Sequence, residues 1–391
     1  MEYEYLSLSV GKLEIDWRKN IIKEDHFALF QPGDKANVCY YFDNDDEQVV
    51  SKTGPGYSKP LDKVRERLKL LGYGYNKLPA LLHEHIQSFV YERQDLKGFS
   101  PKKFLGMLSA VEIPKIDWVP HEADADYGEF FTRRILTLPQ FGPIRSYLKE
   151  FPGASDLVFE QIHPYIILSA LAENPLNREL PVEWRTKEKN VGLDKYETYL
   201  IVTEGPSDGV VLKKALHILR PEIADFFDFI DMRENYPFDN VSSMLKFFMG
   251  LIKIGTNRNM IFIFDNDTEG CYNFSRLDNI AHPPNMRKYV LPDMKEFENF
   301  KTSGTSGEAE ENVNRRAVAI EMYLDHSYVL TRTPIVVWGG MHGSVQQLQG
   351  ALKNKEDYTT KFVGLEEKDH EKYKFDKLHF LLGHLVKNII G

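Results

Sequence analysis

Tyr199-Leu200-Ile201-Val202-Thr203-Glu204-Gly205-Pro206-Ser207-Asp208 and Met260-Ile261-Phe262-Ile263-Phe264-Asp265-Asn266-Asp267 share one grammar: an unbroken apolar run that ends in carboxylates. Such a run, bounded by polar residues, is the pattern of a strand buried on both faces, as parallel sheets require. Working outward, Ser207–Leu219 and Val241–Ile254 have helical periodicity, and Phe226–Ile230, Lys288–Leu291 and Ile335–Trp338 read as further strands. The alternation predicts an α/β fold, a parallel sheet flanked by helices. Ligands of open parallel sheets bind at the carboxyl ends of the strands, and Glu204, Asp208, Asp265 and Asp267 fall there. Gly205 is expected to permit a sharp turn off its strand. Asp208 then enters the first helical turn, where the helix dipole favours an anion. Asp265 and Asp267, two positions apart, are expected to point the same way.

If the two strands are neighbours, four carboxylates converge in one small volume and repel one another. A divalent cation resolves that conflict, and oxygen-only ligands select magnesium, manganese or calcium over zinc. Two such ions about 3.5–4 Å apart can clamp the attacking and the leaving oxygen of a phosphodiester. The set therefore points to phosphoryl-transfer chemistry, with Glu204 as ligand and proton acceptor. The stretch Val313–Leu324 reads as a helix whose apolar stripe is Val313, Ala317, Ile320 and Leu324. Glu321 lies within that stripe, so it is either a further metal ligand or an edge residue reaching solvent. Lys213, Lys214, Arg315, Arg316, Lys353 and Lys355 are candidates for a phosphate-contacting track.

Upstream, residues 1–60 are rich in turn formers and short apolar runs (Leu6–Val10, Phe27–Phe30, Val38–Phe42), which predicts a small β-rich unit. The acidic run Asp43–Glu47 reads as a solvated turn. Residues 61–110 have helical spacing, 125–190 continue helical between prolines, and Val182–Lys189 reads as a charged connector. Phe300–Asn312, rich in Ser, Gly and Glu, reads as a loop, and Phe375–Ile390 as an amphipathic helix that packs on its own domain or seals an oligomer. The expected division is 1–115, 116–192, 193–345 and 346–391: an N-terminal domain, a helical connecting region, the catalytic α/β domain and a helical extension.

With 42% hydrophobic and 13% aromatic residues the chain can bury real cores. A net charge of −9 argues against a protein that coats nucleic acid through bulk positive charge. Two cysteines exclude a disulfide framework or a Cys-based zinc site. No stretch approaches the ~20 apolar residues of a membrane span, and Met1–Tyr5 lacks the features of a signal peptide. A cytoplasmic protein is expected.

Glu204-Gly205 with Asp208 after one strand, and Asp265-Asn266-Asp267 after another, resemble the Toprim domain, in particular that of the overcoming-lysogenization-defect nucleases. The resemblance implies that Glu204, Asp208, Asp265 and Asp267 hold magnesium or manganese and that Glu321 corresponds to a later acidic ligand. It further implies that a downstream lysine, for which Lys355 is the candidate, faces transition-state charge. Leu8-Ser9-Val10-Gly11, Asp16-Trp17-Arg18-Lys19-Asn20 and His26-Phe27-Ala28-Leu29-Phe30 resemble the N-terminal domain of HEPN/Toprim-associated proteins, which are typically predicted bacterial antiviral effectors. The Arg-x4–6-His motif of HEPN ribonucleases is absent from the N-terminal half; Arg276 to His282 has the spacing but lies in the α/β region.

The expectation is a metal-dependent endonuclease acting on DNA or on RNA such as tRNA, restrained by a partner protein, a nucleotide signal or homo-oligomerisation through the C-terminal helix, with no membrane partner. Two alternatives stand beside it. Phe262–Asp267 resembles the nucleophile loop of haloacid-dehalogenase-like phosphatases, although Glu269 stands where Thr or Val is expected. A non-catalytic module of the same fold, sensing a nucleotide or partner, is the other.

Overall fold

The computed structural model describes residues 5–19, 25–43, 49–89, 99–116, 135–144, 158–187, 191–230, 241–329 and 333–391. The chain divides into two compact units, Met1–Gly192 and Leu193–Gly391.

The first unit is built on an antiparallel sheet. Strands β1 (Tyr5–Val10), β2 (Leu13–Lys19), β3 (Lys35–Asp43) and β4 (Val49–Pro60) are followed by helices α1 (Leu61–Leu68), α2 (Leu78–Ser88), α3 (Pro101–Ser109) and α4 (Pro164–Leu171). The chain then returns as β5 (Pro181–Arg185), which inserts between β1 and β4 in the order β2-β1-β5-β4-β3. Residues 182–185 of the stretch read as a charged connector thus belong to a central strand. Its charges are absorbed locally, since the buried Arg185 donates to Ser7 Oγ (3.1 Å) and Ser9 Oγ (2.9 Å). Strand and helix side chains share one core, in which Leu8 and Val10 join Leu61, Val64, Leu105 and Ile167. Trp184 of β5 stacks against Phe30 and Tyr57. Phe27–Leu29 forms a 3-10 turn instead of a strand; His26 before it pairs with Asp16 of β2 at 3.0 Å. Gly11, in the β1–β2 turn, has φ +54°, a conformation that favours glycine. Most of 125–157 and the acidic run from residue 44 onward lie outside the described residues.

In the second unit, β6 (Tyr199–Thr203), β7 (Phe227–Phe229), β8 (Asn259–Phe264) and β10 (Met286–Val290) form a wholly parallel sheet in the order β10-β8-β6-β7. Helix α5 (Pro206–Leu219) links β6 to β7, α6 (Val241–Ile254) precedes β8, and α7 (Thr268–Arg276) precedes β10. Alternate residues of β8 serve opposite faces: Met260, Phe262 and Phe264 pack with Met244, Leu245 and Phe248 of α6, while Ile261 and Ile263 are buried on the other side. The mixed α/β architecture with a parallel sheet agrees with the sequence reading.

Two regions differ from that reading. Phe300–Asn312 is a hairpin, β11 (Phe300–Gly304) and β12 (Gly307–Glu311), closed at Gly304 and Gly307 with φ +103° at Gly307. It joins a second sheet, β12-β11-β14-β15, with β14 (Val336–His342) and β15 (Gln347–Leu352). Val313–Leu324 is not a helix. It contains a two-residue strand β13 (Ala317–Val318), which pairs with β9 (Asn266–Asp267), and a 3-10 turn over Ile320–Tyr323. Its apolar stripe is buried, yet that pairing to β9 replaces the helical hydrogen bonds. After α8 (His326–Val329) and β15 come α9 (Lys355–Val363) and α10 (Asp376–Ile390). The apolar face of α10, Leu378 through Ile389, is buried within its own unit, and the Arg287 guanidinium caps its last carbonyls.

Candidate functional site

The parallel sheet fixes where the carboxylates meet. From β6 the chain moves to β7 on one side, then crosses to β8 on the other, so the strand order reverses between β6 and β8. Such a reversal opens a crevice at the carboxyl ends of the two strands. Glu204 follows one strand and Asp265 the other, and the Asp265 amide donates to Glu204 Oε1 at 3.1 Å.

Each acidic group is placed by a local device. Asp208, buried in the first turn of α5, accepts from the Gly205 amide at 3.0 Å and from Ser207 Oγ at 3.3 Å. Gly205 has an ordinary extended φ of −119°, so no left-handed turn explains it. A Cβ there would lie 3.3 Å from Asp208 Oδ2. Asp267 caps α7, its Oδ1 accepting from the Gly270 amide at 2.7 Å. At Gly270 a Cβ would lie 2.3 Å from the Asp265 carbonyl oxygen, so only glycine lets α7 start this close to β8. Asn266, fully buried between the two aspartates, donates to Asp293 Oδ1 (2.7 Å) and accepts from the Arg315 amide (2.9 Å). The β9–β13 pairing then carries the chain to the 3-10 turn that presents Glu321. Glu321 is 2% exposed, and the Thr359 hydroxyl lies beside its carboxyl. Lys355, the first residue of α9, brings its Nζ to 4.0 Å from Glu321 Oε1.

The electrostatics bind these residues into one group. Burial pushes the Glu204 carboxyl up to about 8, with repulsion from Asp267, Asp208 and Glu269 adding to it. Burial and then Glu321 push Asp208 up to about 7. Asp265 is raised well above the carboxylate range by burial and by Asp208, Glu204, Asp267 and Glu321. Asp267 and Glu321 are also raised by burial; hydrogen bonds from Gly270 and Gln349 restrain the first, and Lys355 restrains the second. At Lys355 burial works against the charge, but Glu321, Asp265 and Asp208 outweigh it and raise the pKa. Each of the six residues named from the sequence therefore feels the charge of at least two of the others.

The sequence reading missed the outer ring. Glu269 accepts from Asn273 Nδ2 at 2.7 Å and pairs with His342 Nε2 at 2.6 Å. Gln349 of β15 donates to Asp267 Oδ2 and accepts from the Glu269 amide at 3.0 Å. His342 and Gln349 lie far along the chain in a mixed sheet, and no local pattern marks them.

The basic track is only partly available. Lys214 donates to the Val363 and Leu365 carbonyls, Arg315 pairs with Asp293, and Arg316 lies over the Trp338 ring with its guanidinium carbon 4.2 Å from the ring centre. Lys213 and Lys353 are exposed. The chance Arg276–His282 spacing has no shared site: His282 bonds the Ile280 carbonyl and packs on Phe248.

The donor set suits a hard divalent cation: its atoms are all oxygen, its carboxyls are mutually repelling, and Glu321 is buried beside them. As the side chains stand, no three His, Cys, Asp or Glu residues among the described residues form a ready ligand group. Glu204 leans to the Asp265 amide, Asp208 to Gly205, and Asp267 to Gly270 and Gln349. Taking up an ion therefore involves reorienting carboxylates, each of whose oxygens has a second lone pair beside the one these donors use.

Residues 3–188 match the family model of HEPN/Toprim N-terminal domain 1. The match lies within the first unit and includes its β5 strand. No curated protein and no solved structure matches the chain. Among the described residues no helix is long and apolar enough to cross a membrane.

Proposed function

We propose that the second unit is a Toprim-type, magnesium- or manganese-dependent nuclease that hydrolyses phosphodiester bonds of DNA or RNA, as an effector of bacterial antiviral defence. One observation carries the reading: Glu204 and Asp265, on neighbouring parallel strands, meet at the reversal of strand order. The match of residues 3–188 supports it, because the name of that family carries Toprim.

Glu204, Asp208, Asp265, Asp267 and Glu321 would hold the cation. When bound, a divalent ion supplies the positive charge that neutralises these carboxylates and polarises a phosphoryl oxygen. With Oε1 on the Asp265 amide, Glu204 offers Oε2 to take up the proton of the attacking water. The Lys355 ammonium, held charged by three carboxylates, faces the charge that builds on the phosphoryl oxygens. Asp265 is hemmed in by four other carboxylates, surroundings that favour a ligand over the covalent nucleophile a phosphatase needs.

The test is nicking of supercoiled plasmid and cleavage of total RNA in magnesium or manganese, with and without EDTA. Cutting should vanish with EDTA and fall by about 10²-fold or more in Glu204→Gln and Asp265→Asn. Protein that takes up manganese yet cleaves neither polymer would sink the reading, and a phosphorylated Asp265 would replace it with the phosphatase.

A further inference from the structure

Asp267 has both of its carboxyl oxygens engaged by donors fixed in the fold. Oδ1 takes the Gly270 amide of its own helix, and Oδ2 takes the side-chain amide of Gln349 from the β14–β15 hairpin. The orientation of that amide is not free. The Glu269 N–H needs an acceptor and finds Gln349 Oε1 at 3.0 Å, which turns Nε2 toward Asp267. Two further bonds fasten the same hairpin to the same turn: Thr268 Oγ1 donates to the Leu348 carbonyl at 2.7 Å, and His342 meets Glu269 at 2.6 Å. On its far side the hairpin has no slack. The Gly350 amide donates to the Arg316 carbonyl at 2.9 Å, and a Cβ at Gly350 would lie 2.7 Å from the Trp338 ring and 2.9 Å from Ala317 Cβ.

We propose that Gln349 is a positioning residue of the carboxylate site, holding Asp267 Oδ2 in place against repulsion from Glu204 and Glu269 so that this one ligand keeps its position while the others turn toward a cation. This rests on the reading of Asp267 as a cation ligand. Without the amide, the carboxyl keeps only its bond to the helix end and swings away from its acidic neighbours. Assembling the site on cation binding then costs an ordering step that the hairpin otherwise supplies in advance.

The experiment is manganese binding to the full chain, followed by calorimetry and by electron paramagnetic resonance, in wild type and in Gln349→Met. Methionine matches glutamine in length and volume but can neither donate to Asp267 nor accept from Glu269. Expected is at least fivefold weaker manganese binding with thermal melting within a few degrees of wild type. Should Gln349→Met fail to fold, Gln349→Asn carries the test, since it keeps the amide but is one methylene too short for both bonds; at least threefold weaker binding is expected. Wild-type affinity in the folded variant overturns the proposal. So does a wild-type protein that binds no manganese. A wild type that binds manganese but cuts nothing defeats the nuclease reading alone, and the affinity difference still decides the role of Gln349.

Discussion

Glu204 and Asp208 hold their protons near neutrality, at about 8 and about 7, whereas an exposed chain would lose them near 4. The folded protein therefore binds more protons than the unfolded chain across the interval from about pH 4 to about pH 8. In EDTA, stability should fall as pH rises through that interval, and magnesium should restore it most at the alkaline end. Thermal melts from pH 5 to 8.5 with and without magnesium check this; a flat profile would mean that the carboxylates do not share one volume. For the same reason Glu204→Gln, which keeps an oxygen for the Asp265 amide, should raise the melting temperature of cation-free protein at pH 8 while it abolishes cutting. Lys355→Met should separate cation binding from cutting. Removing a competing positive charge should tighten manganese binding by about threefold, while the lost ammonium slows cutting by about tenfold or more.

At the scale of elements, what the sequence disclosed follows from length and periodicity. Strands β6 and β8 and helices α5, α6 and α10 were legible because each carries a full run or several turns of pattern, enough to exclude the alternative period. The carboxylates were legible because they end those runs. Glu321 is the buried acid among apolar residues that the sequence suggested, but it lies on a 3-10 turn instead of a helix. A stripe at Val313, Ala317, Ile320 and Leu324 satisfies a helix, and nothing local announces that residues 317–318 will pair with Asn266–Asp267. Arg315 at φ +61° does break a helix, but backbone angles are not written in side-chain spacing. The ring of Glu269, His342 and Gln349 was hidden for a different reason: its members are joined only by tertiary hydrogen bonds. Gly270 offers a test at this scale. A methyl group aimed at the Asp265 carbonyl must push α7 away from β8. Gly270→Ala should cost about 1–3 kcal/mol by denaturant unfolding and weaken manganese binding; unchanged stability would contradict the close packing described here.

Among the described residues each compact unit has a core of its own, one under the antiparallel sheet and one around the parallel sheet. Units with their own cores are expected to melt as separate cooperative transitions. Only that of the second unit should respond to manganese, gaining about 2.7 kcal/mol at a hundredfold excess over the dissociation constant. Scanning calorimetry of the full chain reads both; a single transition that shifts as a block would refute their independence. The position of β5 has a consequence for synthesis. The last strand of the first unit occupies the middle of its sheet, between β1 and β4. Until residue 185 has left the ribosome tunnel, those two strands face each other across a gap one strand wide, each with a row of unmet amides and carbonyls open to any extended peptide. The amino-terminal half must therefore wait for its own keystone, and a chain broken off before residue 181 is expected to aggregate instead of settling into a smaller version of the same fold.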